Sequence, residues 1–499
     1  MLSLKEWLLL APLLLSLAGA LAGLVADAFL SPRTATRSAA VALAAAAGLF
    51  AYTAFSRAAV VGGVVLLGGV YAAVGAFVCA LAALTLAAGE SSLGSRPHGG
   101  QVAALVAFTT TASVVLLGAF DLTVFVVALE LIALGGYALV ASARTARAYE
   151  AAMKYFVQGA VATGLLVYGV AVLFGLSGGA LGFDALGRAL AAGAGKPAAT
   201  VALVLMLSAV AFKLGAFPFH SWAPDAYETA PPSVAAFLAS VPKVAALLAT
   251  VLLLVGVFGG APSQREPVWA LLVAIIAAAS IAFGNLAALR QESFRRMLAY
   301  SGIAQVGYAL TGMSAGSRVQ PFAVLVFGVF YALAAAGAFL AAEAVGEGEE
   351  WDGRIASLAG LGRRRPVLAA SLAVCLLSLT GIPLTAGFWG KLLVFASAST
   401  TVLWLAIVGV VGSVVSFGYY GGVLRAVYLD ETAEAPEPAP ARVEEIPEGS
   451  PALAARSVGA MAADVPSERR RATWPVAVVA ILVLVGGVAP LFFLRLFGG

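Results

Sequence analysis

The chain has 499 residues, of which 62% are hydrophobic and 11% charged, with a formal net charge of +4 and a mean hydropathy of +1.00. These values exclude a soluble domain and define an all-α polytopic membrane protein. The excess of basic residues is small, scattered from loop to loop and not interleaved with aromatics, which excludes a nucleic-acid-binding surface.

A membrane span needs about 20 apolar residues. Fourteen segments qualify, near 7–30, 36–55, 66–88, 101–119, 121–142, 150–176, 197–217, 232–258, 267–289, 297–315, 320–345, 366–396, 402–428 and 473–496. The first run is too long for a signal peptide and no small-residue cleavage site closes it, so it is expected to remain as a span. Residues 182–193 read as a short amphipathic helix on the outer surface. The connection 346–365 runs from acidic (Glu347, Glu349, Glu350, Asp352) to basic (Arg363, Arg364, Arg365), the arginines anchoring the following span. Residues 429–472, rich in Pro, Glu, Ala and Arg, read as a flexible cytoplasmic loop.

Orientation follows from the basic residues of the connections. With the N-terminus outside, eighteen arginines fall on the inner side and seven lysines and arginines on the outer, which places both termini outside. Cys79 and Cys375 stand alone in apolar spans, and His98 and His220 are far apart. No disulfide, metal, haem or iron–sulfur spacing results, and no nucleotide-binding glycine motif is present. The chain is expected to carry no redox cofactor of its own.

The cations divide by type. Arginines lie in or next to the connections, whereas four of the six lysines, Lys154, Lys213, Lys243 and Lys391, lie within apolar segments. A lysine taken out of water can release its proton near neutral pH, and an arginine cannot. Glu130 stands about ten residues into the fifth span, roughly 15 Å deep at 1.5 Å per residue. Each such charge costs about 2.5–3.5 kcal/mol at the membrane centre. Lys154 is only a turn from the start of its span and can equally snorkel to the surface. The set reads as a polar line through the bundle that carries protons or ions.

Backbone breaks point to the same region. FKLGAFPFHSWAPD (212–225) places Gly215 and Pro218 after Lys213. LTGIPLTAGFWGK (379–391) places Gly381, Pro383 and Gly387 before Lys391. Non-helical backbone at membrane depth is tolerated only where protein buries it or it lines a hydrated cavity. One broken, lysine-bearing span in each half suggests an inverted repeat.

The segments AAMKYFVQGA (151–160), FKLGAFPFHSWAPDAYETAPPSVAAF (212–237), NLAALRQESFRRMLAYSGIAQVGY (285–308) and LTGIPLTAGFWGKLLVF (379–395) resemble subunit N of bacterial NADH–quinone oxidoreductase, respiratory complex I. The likeness runs from about 100 to 428. It implies fourteen helices: spans 1–3 in residues 1–99, a first antiporter-like half in 100–258 (spans 4–8), a second in 259–428 (spans 9–13), and a last span in 473–499. It further implies a multi-pass subunit of the bacterial plasma membrane. NADH, flavin, iron–sulfur clusters and quinone would belong to partner subunits of the complex.

By the same resemblance, Glu130 matches the family's fifth-span glutamate, and Lys213 the seventh-span lysine that pairs with it. Lys243 matches the linking lysine of the eighth span, Lys391 the twelfth-span lysine, and Lys154 a sixth-span member of the charged line. Gln305 departs from the family, which often has histidine there; a proton passing that point would need water. His220, Gln305, Pro218 and Pro383 are gating or relay candidates. The expected mechanism is electrostatic: an ionised Glu130 holds Lys213 as an ammonium, and removing that charge sends the proton toward Lys243 and Lys391 through ordered water. Two alternatives remain open at this level: a cation/proton antiporter or membrane-bound hydrogenase subunit of the same fold, and a structural subunit with no proton path of its own.

Overall fold

The computed structural model describes residues 3–193, 196–259, 268–316, 320–346, 351–430 and 473–489. The expected loop at 429–472 lies outside the described residues from 431 onward, as do the acidic positions 347–350 and the end of the last expected span. All the long elements are α-helices, α1 (Leu4–Phe29), α2 (Pro32–Thr53), α3 (Gly69–Ala88), α4 (Glu90–Gly94), α5 (Gly99–Leu117), α6 (Leu122–Ala141), α7 (Ala146–Leu176), α8 (Phe183–Ala191), α9 (Lys196–Leu214), α10 (Trp222–Thr229), α11 (Pro232–Gly256), α12 (Val268–Ala288), α13 (Phe294–Met313), α14 (Pro321–Gly346), α15 (Leu361–Arg364), α16 (Pro366–Thr380), α17 (Ala386–Ser399) and α18 (Leu403–Tyr428), before a final helix at Thr473–Val488. Among the described residues, eleven helices are long and apolar enough to cross a membrane.

Local chemistry sets where these helices begin. Ser3 and Glu6 form a reciprocal capping box at α1. Ser31, Asp121, Thr145 and Ser293 each accept a first-turn backbone N–H of α2, α6, α7 and α13 through their side chains. The third apolar segment differs from its expected start near 66. Residues Ala59–Val61 and Val65–Leu67 pair as an antiparallel hairpin, β1–β2, and helix begins only at Gly69. β-Branched residues on either side of Gly62 and Gly63, both at positive φ, favour the turn over continued helix. The amphipathic segment forms α8, which buries Phe183 and Leu186.

The core is organised around α14, whose apolar window is buried throughout, and α11, which is nearly so. α14 packs on α11, α13, α16 and α17. α7 lies at the periphery and exposes Met153, Phe156, Val161 and Tyr168, as a helix facing lipid or a neighbouring subunit does. Arg365, at the start of α16, donates to the carbonyl of Ala344 in the last turn of α14 and to the Thr473 hydroxyl. That arginine ties the end of one helix to the starts of two others.

Two helices are interrupted. α9 ends at Leu214; Gly215 takes φ +72°, the Phe217–Pro218 peptide is cis, and the chain resumes helix at Trp222. The break is tied to neighbouring protein: the Phe217 N–H donates to Ser280 Oγ of α12 at 3.0 Å, and the Trp222 indole N–H to the Phe212 carbonyl at 2.9 Å. α16 ends at Thr380 with Gly381 at φ +90°, and α17 follows after a five-residue bend that is bridged by the Gly387 N–H of α17 donating to Ser378 Oγ of α16 at 3.0 Å.

Candidate functional site

Each helix break leaves C-terminal carbonyls without intrahelical partners and a partial negative charge at that end. Lys213 occupies the last turn of α9. Lys391 lies on the far side of the other break but reaches back, donating from Nζ to the Thr380 carbonyl at 2.9 Å and to Ser413 Oγ of α18 at 2.8 Å. Its Nζ also sits 4.4 Å from the centroid of the Tyr308 ring, within cation–π range. A lysine thus accompanies each interrupted helix, Lys213 in the last turn before the first break and Lys391 after the second, with the Lys391 amine on a carbonyl of the half-helix that precedes it.

Lys243 lies mid-helix in α11, one residue after Pro242. Its Nζ is 3.4 Å from Tyr331 Oη and faces the rings of Tyr227 and Tyr331 at 5.3 and 5.8 Å. Lys213, Lys243 and Lys391 are 4%, 2% and 5% exposed, so none of them snorkels. None of the ion pairs within 4 Å among the described residues includes them. Glu130 is half-buried on α6 and accepts from the Thr163 hydroxyl at 2.7 Å. No ion pair within 4 Å joins it to Lys213 among the described residues.

Lys154 stands apart from the buried three. Its side chain is 48% exposed and pairs with Glu150 at 2.7 Å and Asp225 at 3.1 Å. Asp225, on α10, is shared with Arg296 of α13 at 2.8 Å, and Arg296 also holds Glu228 at 2.9 Å. Burial alone would raise the Asp225 carboxyl, but hydrogen bonds from Arg296 and Lys154 outweigh it and hold the group below its ordinary range. This cluster lines an open crevice with Arg147 and fastens the segment after the first break to α7 and α13.

The gating and relay candidates also separate. Gln305 is buried in α13, and its Nε2 donates to the Leu379 carbonyl at 2.7 Å, a carbonyl in the last turn before the second break. His220 is 9% exposed, with Nδ1 buried and unpartnered, between the rings of Phe217 and Phe283. Pro218 and Pro383 are exposed on the outside of their bends. Among the described residues, no group of three His, Cys, Asp or Glu side chains is placed to hold a metal ion.

Sequence reasoning missed two features. Glu343, near the end of α14, is 4% exposed and accepts the Ser233 N–H at 2.8 Å, so a distant carboxylate caps the helix that carries Lys243. The second is a row of buried tyrosines. Tyr155 stacks on Trp222 at 3.9 Å, Trp222 meets Tyr227, Tyr227 and Tyr331 face Lys243, Tyr308 faces Lys391, and Tyr419 packs on Tyr420. The available signal was a hydroxyl recurring in apolar spans, where each must find a partner.

Broken helices bearing unpaired lysines inside a buried polar tract define a helical ion-translocating membrane protein. The NADH:quinone oxidoreductase/Mrp antiporter transmembrane family model matches residues 119–416, and the chain belongs to that family. Among curated relatives, it is 40% identical over 338 residues to NADH-quinone oxidoreductase subunit N of Granulibacter bethesdensis, covering 66% of this chain and 70% of that one. It is 41% identical over 366 residues to the subunit N of Halorhodospira halophila, covering 72% and 74%. Among solved structures, a chain of respiratory complex I from Thermus thermophilus aligns with a TM-score of 0.76 at 28% identity, covering 97% of this chain and 98% of that one. A chain of the Mrp complex from Dietzia sp. aligns at 0.79 and 22% identity over 100% and 97%, a likeness of fold.

Proposed function

We infer that this chain is a proton-translocating membrane-arm subunit of an NADH–quinone oxidoreductase, in which electron transfer in partner subunits drives protons along buried Glu and Lys side chains. The family membership and the subunit N relatives support the assembly. The observation that carries the transport role is the set Lys213, Lys243 and Lys391, each 5% exposed or less and without a counter-ion within 4 Å among the described residues. Burying one such cation costs about 2.5–3.5 kcal/mol, and moving one charge against 100 mV takes about 2.3 kcal/mol. A protonation state so balanced can be switched by the energy available.

In this reading Glu130 is the control charge. Ionised, it favours the ammonium of Lys213 through space; withdrawn or neutralised, it leaves that cation uncompensated and the proton passes to Lys243 and on to Lys391. Lys154 serves at the surface, in the ionic cluster that anchors α10. His220, Pro218 and Pro383 shape the two breaks. Fourteen spans follow if α13, the pair α16–α17 and the final helix at Thr473–Val488 are added to the eleven long apolar helices. Spans 4–8 and 9–13 are then the inverted repeats, with both termini on the outer side of a bacterial plasma membrane. NADH, flavin, iron–sulfur clusters and quinone belong to the partner subunits.

The test is proton uptake by vesicles carrying the assembled complex. Lys213→Met abolishes or strongly lowers proton translocation at unchanged complex content. Lys213→Arg lowers it as well, because arginine keeps its proton. Wild-type translocation by both variants would reject the role.

A further inference from the structure

Tyr331 touches Lys243 and, with Gln305 and Lys391, lines a small cavity. The cavity is lined by Gln305, Tyr331, Ser378, Leu379 and Lys391, among others, and has room for about one water molecule. Four of its lining side chains, Gln305, Tyr331, Ser378 and Lys391, are polar, enough to hold one water beside the apolar Phe327, Phe330, Ala334 and Leu379. Tyr331 brings a hydroxyl that can accept from Lys243 and donate onward. Lys391 and Gln305 line the same cavity, and Gln305 Nε2 is committed to the Leu379 carbonyl. The Lys243 contact to Tyr331 Oη, 3.4 Å, is long for a hydrogen bond. The lining comes from helices α13, α14, α16 and α17, so the spacing is held by the fold.

We propose that Tyr331, with one water bound in this cavity, is the proton relay between Lys243 and Lys391, and that Gln305 orients that water without itself carrying the proton. The proposal rests on the transport reading above. An N–H bond of the Lys243 ammonium breaks and its proton goes to Tyr331 Oη, while the hydroxyl proton leaves for the water. The water accepts that proton and gives one of its own to the Lys391 amine. Lys243 ends as the amine, Lys391 as the ammonium, and Tyr331 and water are regenerated. A glutamine serves where a histidine would otherwise stand because the titrating step is carried by a hydroxyl, which passes a proton without holding a net charge. Tyr420 lies close to the same tract. Its hydroxyl is buried without a well-directed partner beside Ser301, Gln305 and Tyr419, but it does not line the cavity.

The experiment uses vesicles containing the assembled complex and reads protons translocated per NADH oxidised. Tyr331→Phe, which keeps the ring and removes one oxygen, is expected to lower that ratio to the level of Lys243→Met. Placing 3,5-difluorotyrosine at 331 keeps the hydroxyl but makes it more acidic, and is expected to shift the pH dependence of the ratio to lower pH; a residue that only packs would not respond. The groups facing Tyr331 that titrate or carry charge are Lys243 from α11, Tyr227 from α10, Tyr420 from α18 and Lys391 from α17, and all are unchanged in both variants. A normal ratio in Tyr331→Phe with a lowered one in Lys243→Met overturns the relay and leaves the lysine reading standing. An unshifted pH profile in the fluorinated protein also overturns it. Normal ratios in both single variants overturn the transport reading itself.

Discussion

A buried lysine is stable only as far as its surroundings replace water, and the three buried here are served unequally. Lys391 has a carbonyl, a hydroxyl and an aromatic face; Lys243 has one long contact to a hydroxyl and two rings. Gln305 is held in turn by the Leu379 carbonyl. Gln305→Leu would leave that buried acceptor unpaired, and the complex should lose about 1–3 kcal/mol of stability, read as a lower unfolding temperature. Asp225 allows a pH prediction outside the membrane. Its folded-state carboxyl titrates below its ordinary value, so its contribution is complete above about pH 4, the unfolded reference, and is lost as pH falls through the lower folded value. Protease nicking near α10 should therefore stay flat from neutral pH to about pH 4 and rise below it; in Asp225→Asn that acid step should be absent. The lysines were visible in the sequence because a charge in an apolar run is costly. The tyrosine row and Glu343 were not, since a single hydroxyl hardly alters hydropathy and a carboxylate near a span's end looks exposed.

At the level of elements, the two breaks place the cations. Gly215 and Gly381 sit at φ +72° and +90°, where an L side chain costs about 1–2 kcal/mol. They should differ beyond that cost. A Cβ on Gly381 would lie 2.9 Å from Lys391 Cδ, whereas at Gly215 the nearest atom is 3.5 Å away. Both Gly→Ala variants should lower the unfolding temperature of the complex, but only Gly381→Ala should also reduce proton translocation, by displacing Lys391. Equal loss of transport in both would count against a specific role for the second bend. These breaks were legible from Gly and Pro beside lysine. The hairpin β1–β2 was not, because Val and Leu in a short apolar run serve helix and strand alike, and tertiary pairing decides.

For the whole molecule, composition alone indicated the class, and eleven of the described helices are long and apolar enough to cross a membrane. What hydropathy could not give is which spans face protein: α14 and α7 are similarly apolar, yet one is wholly buried and the other largely exposed. Only packing separates them. Orientation is open to a direct check. Cys79 and Cys375 are buried, so a cysteine introduced by Ser3→Cys should be labelled by a membrane-impermeant thiol reagent from the outer face, and labelling only after permeabilisation would reverse the topology. The central claim, that the buried lysines carry the proton, is met most directly by the ratio of protons translocated to NADH oxidised in vesicles of the assembled complex bearing Lys213→Met, Lys243→Met or Lys391→Met singly. The ratio is predicted to fall below wild type in all three; a wild-type ratio in each, with normal assembly and electron transfer, would contradict it.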